Sequence, residues 1–216
     1  MAELVEIFIG SMVVGFSGAL VPGPMLTLTV SSAAQKGFWS SFYISLGHSI
    51  LELILVVSFF LGLLRYLDNH LLMKSIGLLG GLVLLYLGIN TIYSLAKKKI
   101  SIDLGKAGPK DMTARYFSAN FILKGAAVSL INPYWYIWWV SIGAAFMVRS
   151  MDLNVAGVGS FFLGHISADF VWFMFIGFLV HSGRKFFNQK IYRIILLLCA
   201  IFLIYLGIRF ITDFIR

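Results

Sequence analysis

Two histidine–acid pairs hold the residues of this 216-residue chain best suited to chemistry. They are His48 and Glu52, in Gly47-His48-Ser49-Ile50-Leu51-Glu52, and His165 and Asp169, in Gly164-His165-Ile166-Ser167-Ala168-Asp169. A spacing of four puts both members of each pair on one face of a helix. Both pairs lie midway along strongly apolar stretches. A carboxylate at such depth is costly unless it faces a cavity, a partner or a substrate path. Imidazole and carboxyl side by side can exchange protons or ligate a metal. The expected proton-coupling group is therefore Glu52 with His48 beside it, and Asp169 with His165 as a weaker second site.

The elements that must position these residues are membrane helices. The chain is 60% hydrophobic and only 12% charged, about half the charge of an ordinary soluble domain. Its mean hydropathy is +0.93. Six apolar runs approach the roughly 20 residues that a span needs, near 4–34, 40–64, 72–96, 117–147, 154–182 and 191–213. The longest polar stretch, 97–116, holds Lys97, Lys98, Lys99, Lys106, Lys110 and Arg115 with Gly105, Gly108 and Pro109, and reads as a solvated hinge. The acidic start, Met1-Ala2-Glu3-Leu4-Val5-Glu6, lacks the basic region of a cleavable signal, so none is expected. The single cysteine, Cys199, has no internal partner for a disulfide.

The basic residues give an orientation. Of the 17 lysines and arginines, eleven fall after the first, third and fifth runs, five fall on the opposite side, and Lys124 lies within the fourth run. By the positive-inside rule the odd loops are cytoplasmic and both termini lie outside. The net charge of +8 then serves topology and implies no nucleic-acid partner.

The chain also repeats itself. Ser45-Leu46-Gly47-His48 is echoed by Phe162-Leu163-Gly164-His165, and Leu85-Tyr86-Leu87-Gly88-Ile89 by Ile204-Tyr205-Leu206-Gly207-Ile208. Two blocks in the same order at nearly equal offset indicate duplication. Three spans per copy force the second copy to enter the membrane inverted, a common plan in secondary transporters. The expected fold is an all-α integral membrane protein of six transmembrane helices arranged as an inverted 3+3 repeat. Residues 1–96 form the first half, 97–116 a basic cytoplasmic linker and 117–216 the second half.

The first and fourth runs should be broken. Pro22-Gly23-Pro24 removes two backbone donors and clashes with the preceding turn. Asn132-Pro133 offers a helix cap followed by proline in the first turn. Freed backbone groups are tolerated at depth only where protein or water meets them, and a new helix start favours an anionic group. Pro22, Gly23, Pro24, Asn132, Pro133 and Tyr134 are the expected substrate contacts, with Ser45 added from a polar stripe of Ser41, Ser45, His48, Ser49 and Glu52 that should line water. A simple proline kink at Pro133, and a structural ion pair at Asp169, are the competing explanations. Trp138 and Trp139 are expected in a lipid-facing aromatic belt, with Trp135 held as a further contact. Gly77 and Gly81 have the spacing of a helix-packing face.

Taken together, Pro22-Gly23-Pro24, Gly37, Gly47 and Asn132-Pro133 resemble the LysE/RhtB family of amino-acid exporters. The similarity covers nearly the whole chain, including its length, apolar runs and basic central loop. The resemblance implies export of an amino acid or similar metabolite across the plasma membrane of a prokaryote, driven by the proton gradient or membrane potential. Two departures stand out: Met25 follows Pro-Gly-Pro where family members often have Asn or Gln, and Tyr134 follows Asn-Pro where they often have Lys. Both imply a substrate less polar than lysine, or one that is not an amino acid. A divalent-metal transporter using the histidines and carboxylates is the alternative, and an intramembrane enzyme ranks last because no activated nucleophile is evident. Expected partners are the small-molecule substrate and membrane lipid, with a homodimer left open and no cofactor expected.

The charge split makes a topological prediction. In a chain with Cys199 removed, a cysteine introduced at Gly105 is expected to resist an impermeant thiol reagent added to intact cells. Labelling from outside would contradict the assigned orientation.

Overall fold

The computed structural model describes residues 1–66, 70–97, 114–183 and 189–215. The regular elements among the described residues are all helices, with no strand among them. In chain order the helices are α1 (Ala2–Ala19), α2 (Pro24–Lys36), α3 (Trp39–Phe60), α4 (His70–Ala96), α5 (Ala114–Leu130), α6 (Pro133–Trp138), α7 (Ala144–Met151), α8 (Asn154–Ser182) and α9 (Gln189–Ile215). A short 3-10 turn, Leu63–Tyr66, follows α3, and a π-helical turn, Trp139–Gly143, joins α6 to α7. Among the described residues, α1, α3 and α8 are long and apolar enough to cross a membrane. Most of the expected 97–116 linker lies outside the described residues.

The distribution of polarity is that of a protein dissolved in lipid. Large apolar side chains point outward along the long helices, including Ile9 and Val13 on α1, Ile54 and Val57 on α3, and Phe175 and Phe178 on α8. The mid-helix histidines and acids, His48, Glu52, His165 and Asp169, are turned inward with Ser11, Ser41, Ser45 and Ser49, while Glu3, Glu6 and His181 near the helix ends are exposed. Helices suit this arrangement because each satisfies its own backbone hydrogen bonds within the segment. The result is an all-α membrane protein.

Both expected breaks are present. Helix α1 ends at Ala19, and α2 begins at Pro24 with Gly23 extended as its N-cap. Helix α5 ends at Leu130, and α6 begins at Pro133 with Asn132 as its N-cap. The Asn132 side chain accepts from the Tyr134 backbone N–H at 3.2 Å, as the Asn-Pro spacing predicts. Two tyrosines meet the carbonyls freed near the breaks. The Tyr134 hydroxyl donates to Ser17 O at 3.2 Å, and the Tyr136 hydroxyl to Leu130 O at 2.8 Å.

Three helix pairs, α1–α8, α3–α5 and α4–α9, supply most of the packing. In the α3–α5 pair the backbones nearly touch: a Cβ added at Gly47 would collide with the Ile122 carbonyl, and one at Gly125 with that of Ile44. In the α1–α8 pair Gly164 plays the same part against Phe8 and Ser11. Close approach of backbones replaces the hydrophobic effect, which is weak between helices in lipid. Gly81 on α4 packs against Gly207 and Ile211 on α9, so its expected role in packing is met; the surroundings of Gly77 lie outside the described residues. These crossings set α3 and α8 side by side, and so bring the two histidine–acid pairs face to face.

Candidate functional site

The four residues form one cluster. Along α3, His48 Nε2 is 3.1 Å from Glu52 Oε1; along α8, His165 Nε2 is 3.6 Å from Asp169 Oδ2. Across the helices, His165 Nε2 is 3.2 Å from Glu52 Oε1, and His48 Nε2 is 3.7 Å from Asp169 Oδ2. Imidazole and carboxylate therefore alternate around a ring. All four side chains are buried, Glu52 to 1% exposure. A charge so placed survives only with partners on several sides.

Glu52 has those partners. Its Oε1 receives the indole N–H of Trp135 at 3.1 Å and of Trp139 at 3.0 Å, in addition to the two imidazoles. Its second oxygen, Oε2, and Asp169 Oδ2 have no hydrogen-bond partner. His48 is fixed from behind by Ser129 of α5, whose hydroxyl lies 2.6 Å from Nδ1. The ring of His165 is stacked under Trp138 at 4.4 Å, while its Nδ1 is buried without a partner.

The tryptophans correct one expectation. Trp138 and Trp139 do not form a lipid-facing belt: they are 4% and 1% exposed. The physical reason is the π-helical turn that starts at Trp139. Trp135 and Trp139, four residues apart, present their indoles to Glu52, while Trp138 turns toward His165 and donates to Ser17 Oγ at 3.0 Å. Single π-helical turns inside helices are frequent at functional sites.

The serine stripe is also differently used. Ser41 and Ser45 are fully buried, and Ser49 donates to Ser45 O at 2.9 Å. Ser41 lies where a Cβ on Gly177 of α8 would collide with it. These small side chains let neighbouring helices approach, and they are not among the residues lining the recess described next.

The cluster forms one wall of a recess into which both helix breaks open. His48, Glu52, His165 and Asp169 line it together with Gly23, Asn132 and Tyr134. Apolar walls come from Val21, Met25, Phe173 and Leu203, and aromatic ones from Trp135, Trp138 and Trp139. Pro22 and Pro24 flank Gly23 without lining the recess, Pro133 opens α6, and Ser45 lies elsewhere. Of the expected contacts, Gly23, Asn132 and Tyr134 are thus brought to the acids. Trp139 and Ser129 are site residues that sequence reasoning missed. The signal for Trp139 was its four-residue spacing from Trp135, directly after a helix break, in a chain with a buried acid in need of donors.

The chain was compared with known proteins. A family model described as LysE type translocator matches residues 16–214. YcgF of Bacillus subtilis (strain 168), named as a candidate amino acid efflux protein, is 20% identical over 206 residues, covering 95% of each chain. A leucine efflux protein of Enterobacter sp. (strain 638) is 26% identical over 166 residues, covering 76% of this chain and 73% of its own length. No solved structure matches the chain.

The recess tests its own importance at Gly23. Its backbone is extended (φ −144°), so any residue can adopt it, and an added Cβ would meet only Val21 O, at 3.8 Å. Gly23→Ala should be tolerated. Gly23→Leu should leave folding intact and fill the recess. If the blockage costs ~1.4 kcal/mol of substrate binding, transport at low substrate falls about tenfold. Flux assays on both variants check this, and normal transport by Gly23→Leu would contradict the assignment of the site.

Proposed function

This chain belongs to the LysE type translocator family, a family of transporters, and we propose that it exports an amino acid or similar small metabolite from the cytoplasm in exchange for protons. The observation that carries this proposal is Glu52: a buried carboxylate with four donors on one oxygen, in a recess where two helix breaks meet. The names of the relatives support an amino-acid substrate. The location that follows is the plasma membrane of a bacterium, with both termini outside.

The recess suits a zwitterion. The first amides of α2 are unpaired within the helix, and that helix start favours a carboxylate, whereas at α6 the Asn132 side chain and carbonyl take the amides of Tyr134 and Trp135. The free oxygens Glu52 Oε2 and Asp169 Oδ2 lack donors, which a substrate ammonium supplies. Met25, Phe173, Leu203 and Val21 would receive an apolar side chain. A neutral, aliphatic amino acid satisfies all three surfaces.

Internal symmetry supports the inverted-repeat reading. The offset of 117 that relates His48 and Glu52 to His165 and Asp169 also relates Gly37 to Asn154, the residues preceding and opening α3 and α8. Both have positive φ, 98° and 53°. An offset of 119 relates Gly81 to Ala200 and Gly88 to Gly207. A Cβ on Gly88 would meet Ala200 O at 2.8 Å, and one on Gly207 would meet Gly81 O at 2.8 Å. Reciprocal contacts of this kind are what a two-fold axis between the halves produces. Such an axis lets the two halves rock about a fixed central site and expose it to either side.

Proton exchange is assigned to Glu52 and His48, with Asp169 and His165 as the weaker pair. Substrate ammonium and protons compete for the same oxygens, which couples release of one to capture of the other. Glu52→Gln keeps the shape and an acceptor for the indoles but cannot release a proton. In proteoliposomes with an imposed pH gradient, it should abolish uphill export while retaining weaker substrate binding through Asp169. Asp169→Asn should have the smaller effect. Unchanged uphill export by Glu52→Gln would contradict proton coupling at this residue.

A further inference from the structure

The ring of alternating imidazoles and carboxylates has a geometry that amino-acid export does not require. Zinc bonds to imidazole nitrogen and carboxylate oxygen run about 2.0–2.2 Å, so neighbouring ligand atoms of a tetrahedral site lie about 3.3–3.6 Å apart. The four sides of the ring measure 3.1, 3.2, 3.6 and 3.7 Å, scattered about that separation. The ligand atoms of His48, Glu52 and Asp169 all fall within 4.8 Å of one another. His165 stands outside that group, so closing all four atoms on one ion draws the two imidazoles together.

We propose that His48, Glu52, His165 and Asp169 bind one divalent transition cation of the zinc type, in tetrahedral N2O2 coordination, within the transport recess. Two features beyond the cluster itself support this. Glu52 Oε2 is buried without a hydrogen bond, and Asp169 Oδ2 has only the two imidazoles beyond hydrogen-bond distance, a cost that a cation removes. His48 also carries the outer support typical of a metal-bound histidine. The Ser129 hydroxyl donates to Gly125 O at 2.9 Å, so toward His48 it is an acceptor, and Nδ1 carries the hydrogen. With Nδ1–H so fixed, a binding cation that displaces the proton Nε2 shares with Glu52 finds the Nε2 lone pair directed at the cluster.

The chemistry of the donors selects the ion. Two imidazoles with two carboxylates suit zinc and cobalt, whereas calcium and magnesium demand six or more oxygen ligands. Neutral imidazoles and two carboxylates carry a charge of −2, which one divalent cation balances. Because the ligands line the recess beside Gly23 and Asn132, a bound cation occupies the place assigned above to the substrate amine. Zinc is therefore expected to inhibit export competitively, as an occupant distinct from the amino acid.

The test uses the untagged, purified full-length protein in detergent, titrated with Co2+ alone. Tetrahedral Co2+ gives intense visible absorption bands, whereas the hydrated octahedral ion is nearly colourless. One equivalent should generate the bands, and Zn2+ should abolish them by displacement. Glu52→Gln and His165→Gln should each prevent them. Ser129→Ala should preserve the bands but weaken binding about 10- to 100-fold, which also guards against variants that merely misfold. His181→Gln, at an exposed histidine, should change nothing. Absence of the bands at saturating Co2+, or bands that survive both Glu52→Gln and His165→Gln, would overturn the proposal. These readouts need no transport, so failure of the export proposal would leave them standing.

Discussion

Everything in this bundle follows from the cost of placing Glu52 where no water surrounds it. Insertion scales put an acidic residue at the centre of a membrane helix at about 2.5–3.5 kcal/mol. A hydrogen bond to a charged group contributes about 1.5–3 kcal/mol, so two or three good donors offset that cost and the rest hold the group in place. The donors arrive from three directions: His48 on the same helix, His165 on α8, and Trp135 and Trp139 beyond the second break. Each must be positioned by its own element. The glycine crossings bring α3 to α5 and α8 to α1, and the break at Asn132 aims α6 and its tryptophans at the acid.

The breaks and the acid belong to one design. Interrupting a helix leaves carbonyls and amides without partners, and this bundle answers with Tyr134, Tyr136 and the Asn132 cap. Glu52 and Asp169 line the recess beside both helix breaks, and Oε2 of Glu52 and Oδ2 of Asp169 have no hydrogen-bond partner. A site with spare acceptors and the open start of α2 is ready for a ligand that carries both signs of charge. It is equally open to a bare cation, which explains how one cluster can serve both proposals.

Much of this was legible in the residues. The i,i+4 histidine–acid pairs, Pro-Gly-Pro and Asn-Pro each have a local physical meaning, and local meaning survives folding. Family membership was legible too, because the motifs recur in order along most of the chain. The partners of Glu52 were not. Hydropathy treats a tryptophan near a span end as a lipid anchor, and only the π-helical turn at Trp139 decides that its N–H points inward. The serines of α3 misled for the same reason: a small polar residue on a helix face suits water or a close crossing equally well, and the neighbouring backbone makes the choice. Ser129 could not have been paired with His48 without knowing that α5 crosses α3 at Gly47 and Gly125.

The central claim is that one buried cluster exchanges protons for substrate. Its most direct measurement is proton movement driven by substrate alone, in proteoliposomes carrying a trapped pH indicator, with the membrane potential clamped. An imposed gradient of the neutral aliphatic amino acid that the protein carries should move protons in the opposite direction, at a rate that scales with substrate flux. Substrate flux with no accompanying change in internal pH would contradict the account.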